Sequence, residues 1–152
     1  MVDTRAGLWR PPPSPEPLFQ ELLWPHPWYE WRVLVACLFF NRTRRSVAGP
    51  VLWKIFARWP DPWRALRSLE RPDAANEMRQ LIAPLGLGAQ RTDRLLRLTE
   101  AYVADTWETP LDLPGCGPYA DAAWRIFVLG VWRDVCTDDH ALLRYLEHLR
   151  VT

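Results

Sequence analysis

The sequence predicts an all-α fold of about eight helices, and three observations predict it. Apolar residues recur at helical spacing through most of the chain, and no stretch alternates convincingly with period two. Proline, glycine and Asp-Pro signals cut the periodic segments into helix-sized pieces. With 152 residues, 49% of them hydrophobic, the chain can close one substantial core.

Residues 1–17 hold five prolines, including "RPPPSPEP", and are expected to form a tail or wrapping extension. The domain itself is expected over 18–152. "PLFQELLW" reads as a short helix broken by Pro25 and Pro27. "WYEWRVLVACLFF" is apolar almost all round, which marks a helix at the centre of the fold. Val47, Val51, Leu52, Ile55 and Phe56 give "SVAGPVLWKIFARW" a helical stripe that Pro60 ends. Asp61 and Pro62 supply an N-cap and a first helical residue for "DPWRALRSL". "DAANEMRQLIAPL" and "AQRTDRLLRLTEAYVADTW" follow as helices flanking the turn at 86–88, then come "AWRIFVLGVW" and "DDHALLRYLEHL". Most of the ten tryptophans are expected in the core.

The apolar runs are too short to cross a bilayer, and the N-terminus lacks a basic start and apolar middle, so a soluble intracellular protein is expected. Cys37, Cys116 and Cys136 are widely spaced with no CxxC pair, which predicts reduced, buried thiols and no zinc or iron–sulfur site. Net charge is only +1, a weak argument against a polyanion partner. Eighteen of the nineteen basic residues are Arg, the side chain suited to forked phosphate contacts; Lys54 is the one lysine.

One short stretch carries chemistry. In "LPGCGPYADAAWRIF", Gly115 and Gly117 allow a sharp reversal that exposes backbone N–H groups near a helix N-terminus, where an anion can sit. About twenty residues on, Asp138 and Asp139 stand at the start of the last helix, where the dipole favours negative charge. Helical phase does not separate the two.

The pattern Leu-Pro-Gly-x-Gly-x-x-Ala, followed at this distance by a helix-initial Asp, resembles the helix-hairpin-helix DNA glycosylase superfamily. "LFQELLW", "LVACLFFNRT", "PVLWKIFARWP", "LIAPLGL", "GCGPYADAAWRIF" and "DDHALLRYLEHL" are similar to the catalytic domain of the methyl-CpG-binding domain 4 family, over nearly the whole domain. The methyl-CpG-binding module itself is absent from these 152 residues. That resemblance implies two lobes with the site in the cleft between them, and a monomer acting on double-stranded DNA that contains a mismatched or damaged pyrimidine. The reaction it implies is removal of thymine or uracil from G·T and G·U pairs, in the nucleus.

The site residues follow from the same resemblance. The family's catalytic Asp stands five residues before a basic side chain, which selects Asp139 with Arg144. Tyr119 stands where lyase-active members carry a Schiff-base lysine, and Tyr cannot form one; a monofunctional enzyme is expected. Tyr119 and Gln20 are implied in the base pocket, although Gln20 is offset by three extra residues before "NRT". Arg42 and Leu87 are implied as the groups that fill the duplex when a base leaves it. Gly115 and Gly117 would grip the phosphate backbone. Neither cofactor nor metal is expected. The alternatives are a non-catalytic helix-hairpin-helix DNA-binding domain and a glycosylase for another damaged base.

Overall fold

A computed structural model describes residues 9–40 and 43–152. Among them are eight α-helices and no strand: α1 (Phe19–Leu22), α2 (Tyr29–Phe40), α3 (Arg45–Arg58), α4 (Pro62–Arg67), α5 (Pro72–Ile82), α6 (Gly88–Ala104), α7 (Pro118–Trp124) and α8 (His140–Val151). The all-α expectation holds. None of these helices is long and apolar enough to cross a membrane.

Helix α2 is the centre. Trp31, Val33, Leu34, Val35 and Ala36 are fully enclosed, as expected of a segment apolar on every face. Two polar residues of α2 are buried as well, and each is paired. The Glu30 carboxylate accepts from Tyr102 Oη of α6 and Trp124 Nε1 of α7, both at 2.9 Å, which ties three helices at one point. Arg32 donates from Nη2 to the Pro60 carbonyl at 2.8 Å and lies over the Phe56 ring, and so fixes α2 against α3 and the turn after it. A buried polar group left without its hydrogen bond costs about 1–3 kcal/mol, more when charged, so these contacts hold the helices in register.

Helix starts follow local chemistry. Asp61 caps α4 by accepting from Arg64 N at 2.8 Å, with Pro62 as first helical residue. A cap of this kind stabilises a helix by about 1 kcal/mol.

Two expectations are corrected. "AWRIFVLGVW" is not a separate helix: α7 runs directly into a π turn over Arg125–Leu129, closed by Gly130 at φ +72°. Of the three thiols only Cys37 is buried; Cys116 is half-buried and Cys136 exposed. Of the tryptophans, Trp31, Trp59, Trp107 and Trp124 are buried, Trp24, Trp28 and Trp132 pack against the core, and Trp53 and Trp63 face solvent.

Residues 9–17 run along the last two helices. Trp9 Nε1 donates to the Ile126 carbonyl inside the π turn, where a normal α-helical partner is lacking. Tyr145 Oη donates to the Pro12 carbonyl at 2.7 Å, and Ser14 donates from N and Oγ to the Glu21 carboxylate. This strap ties α7, α8 and α1 together, and those are the helices that carry Tyr119, Asp139 and Gln20.

Candidate active site

The hairpin before α7 is shaped by one contact and one opening. Gly115 has φ +78°, and a Cβ there would lie 2.8 Å from Leu38 Cδ1, so the turn packs directly on α2. Gly117 is extended, and a Cβ added to it would meet nothing within 4 Å. Its surroundings are open toward a cleft. Pro118 starts α7 at once, so the turn cannot lengthen.

That cleft measures about 670 Å³. Gly115, Gly117 and Tyr119 of the hairpin line one side; Asp138, Asp139 and His140 line the other. Cys37, Phe40, Thr43, Arg44 and Arg45, from the end of α2 and the start of α3, complete the wall. Two segments far apart in sequence, the arginine-bearing stretch 37–45 and the hairpin at 115–120, thus meet the acidic start of α8 in one depression.

Asp139 is the N-cap of α8. Its Oδ2 accepts from Leu142 N at 2.9 Å, and its own N donates to Thr137 Oγ1 at 3.1 Å. The cap holds the carboxylate in one orientation and leaves Oδ1 available to a ligand. Asp138, its neighbour, is exposed and does not cap the helix. The ambiguity that helical phase left open is resolved geometrically as to which residue is the cap: it is Asp139.

Tyr119 lies between these groups. Gln20 Nε2 donates to Tyr119 Oη at 3.0 Å and also lies 3.8 Å from Cys37 Sγ. Gln20 is almost wholly buried, so it sits behind the tyrosine and not at the cleft surface. Burial raises the Tyr119 phenol well above its ordinary range, and the neighbouring Cys37 and Asp139 add to the rise against the opposing Gln20 hydrogen bond. The shift favours the neutral O–H around neutral pH. Burial pushes the Cys116 thiol up to about 12 and the Cys37 thiol also upward. Neither is a thiolate nucleophile near neutrality.

Leu87 does not line this cleft. It caps α6 in the left-handed region, at φ +56° and ψ +41°, and is 59% exposed. A non-glycine residue there costs about 1–2 kcal/mol, so the turn at 86–88 holds an apolar side chain outward at the expense of stability. Arg42 lies outside the described residues; Thr43, next to it in the chain, lines the cleft.

Three residues in this arrangement escape sequence reasoning. Cys37 reads as core, Thr43 as a turn residue, and Arg91 as one of many arginines on an amphipathic helix. The signal that finds Arg91 is a pair of hydrogen bonds, to Gly86 O and Thr43 Oγ1, that only tertiary structure provides. Lys54 is exposed on α3 and does not line the cleft. No group of three or more His, Cys, Asp or Glu able to hold a metal ion occurs among the described residues.

No family model matches the chain. It is 37% identical over 148 residues, 97% of its length, to the methyl-CpG-binding domain protein 4-like protein of Arabidopsis thaliana. It is 30% identical over 137 residues, 86% of its length, to a thymine-DNA glycosylase of Aeropyrum pernix. The chain spans 32% of the length of the first and 58% of the second. Sequence relationship over nearly its whole length makes the chain a relative of the DNA glycosylase domains of these proteins, and its all-helical fold is consistent with a helix-hairpin-helix glycosylase.

Proposed function

We propose that the chain is a monofunctional DNA glycosylase that hydrolyses the N-glycosidic bond of thymine or uracil mispaired with guanine in duplex DNA, acting as a monomer. The observation that carries this reading is the oriented Asp139 carboxylate across one cleft from Tyr119 and the open Gly117 turn.

Each part has a chemical task. The Gly115–Gly117 turn and the start of α7 offer backbone N–H groups to a phosphate, with Arg44 and Arg45 adding positive charge along the same wall. That grip holds the strand without reading its sequence. The target base leaves the stack at a cost of a few kcal/mol, on the order of 2–4, which is smaller for a mispair and so contributes to selectivity. Leu87, apolar and exposed, suits the vacated space, and the family resemblance gives the matching role to Arg42.

As the C–N bond breaks, positive charge builds on the sugar and the base departs as an anion. A fixed carboxylate beside the sugar stabilises that charge without having to reorganise. The same carboxylate can accept a proton from the attacking water. Tyr119 stays a neutral hydrogen-bond donor, and Gln20 holds it in place behind the cleft. With no lysine on the cleft wall, the sugar is not captured as a Schiff base, so the product is an intact strand with an abasic site.

The test is single-turnover base release from duplexes containing G·T, G·U and matched A·T, comparing the wild type with Asp139→Asn. Release from both mispairs and not from A·T is expected, with strand breakage only after alkali. Asp139→Asn is expected to slow release by at least about 10²–10³-fold while DNA binding persists. Absence of release from every duplex would overturn the reading in favour of a non-catalytic binding domain or another lesion.

A further inference from the structure

Arg91, in the first turn of α6, makes two hydrogen bonds that reach different parts of the chain. Its Nε donates to the Gly86 carbonyl at 3.0 Å, inside the turn that presents Leu87. Its Nη2 donates to Thr43 Oγ1 at 2.9 Å, in the turn between α2 and α3 that carries Arg42 in sequence. Gly86 and Thr43 are 43 residues apart in the chain and are linked here by one planar guanidinium. Beneath it, Arg91 N donates to the Leu87 carbonyl at 2.8 Å, so main chain and side chain of the same residue hold both ends of the Gly86–Leu87 segment.

The segment needs holding. Gly86 is at φ +80°, Leu87 is at φ +56°, and Leu87 is exposed, so no core contact fixes its conformation. Gly88 anchors the far side, because a Cβ there would meet the Arg79 carbonyl oxygen at 3.0 Å. Arg91 supplies the near-side restraint and extends it to Thr43, which lines the catalytic cleft. A lysine cannot reproduce this, since one ammonium lacks the rigid fork that serves two acceptors in different directions.

Resting on the function proposed above, we propose that Arg91 is a positioning residue that couples the two turns facing the duplex, so that the Leu87 turn and the Thr43 turn act on one base-pair step together. It touches neither the base nor the sugar. Its effect is on extrusion of the base, not on bond cleavage.

The experiment follows extrusion by the fluorescence rise of 2-aminopurine placed beside the mispaired thymine, with single-turnover release on the same G·T duplex. Arg91→Lys, Thr43→Val, their double variant, Thr43→Ser and Leu87→Ala are compared, with melting temperature as a check on folding. Arg91→Lys and Thr43→Val are each expected to slow extrusion about tenfold, the double variant no further, and Thr43→Ser to behave as wild type. That non-additivity is the signature of one shared interaction. Losses that simply multiply, or a silent Thr43→Val beside an impaired Arg91→Lys, would overturn the coupling, because Arg91 would then act elsewhere, for instance on a phosphate. Slow extrusion in Leu87→Ala with both other variants silent would overturn the coupling and leave the glycosylase reading standing. Absence of any extrusion by the wild type would overturn both.

Discussion

The Gly86–Gly88 turn and the Gly115–Gly117 turn each place one side chain between two glycines ahead of a helix, and in each the first glycine has positive φ. They differ in which part is packed. In the first, Gly88 is tight against the Arg79 carbonyl, Gly86 is open, and Leu87 between them points into solvent. In the second, Gly115 is tight against Leu38, Gly117 is open, and Cys116 between them is half-buried with its thiol shifted upward by burial. One turn therefore presents a side chain and the other presents main chain. An apolar side chain suits a gap in a base stack, and bare N–H groups suit a phosphate, so under the proposed function near-identical motifs would serve two parts of one substrate.

The largest expected effect tests the packed end of the second turn. Gly115→Ala places an alanine at positive φ with its Cβ against the movable end of the Leu38 side chain, and should lower stability by about 1–2 kcal/mol in urea unfolding. An unchanged midpoint would mean that the hairpin is not seated on α2 as described. The open end should behave in the opposite way. Gly117→Ala meets no neighbour and has an extended backbone, so its unfolding midpoint should match wild type, whereas affinity for duplex DNA should fall about tenfold, roughly 1.4 kcal/mol. Equal affinity would remove main-chain contact at Gly117 from the proposal. The smallest effect belongs to the first turn: Leu87→Asn suits the left-handed region better and should raise stability by up to about 1 kcal/mol while base release from G·T slows. If both quantities rose together, the strain at Leu87 would have no functional return.

Much of the architecture was legible because it depends on local rules. The all-round apolar pattern of 28–40 marks a central helix, and α2 is enclosed over most of its length. Asp61-Pro62 marks a helix start, and Asp61 caps α4. The join between α7 and the π turn was not legible, since a π turn keeps helical composition while changing only the hydrogen-bond register. Cys136 was misjudged for a related reason: a lone cysteine reads as core, and its exposure depends on where the segment after Gly130 travels.

The site divides along the same line. Local sequence determined the pieces: a Gly-x-Gly hairpin, an aspartate at a helix start, a tyrosine just after the hairpin, and a single lysine in another segment. Short-range chemistry is enough for these, because caps, glycine turns and residue identity depend on a few neighbouring positions. The tertiary structure decided that Asp139 is the cap beside the cleft, that Gln20 stands behind Tyr119, and that Arg91 joins two turns distant in sequence. Those contacts depend on how α1, α2, α6, α7 and α8 pack around a shared core. A hydrogen bond between residues 99 positions apart leaves no local pattern to read, because packing, and not spacing, brings its two ends together.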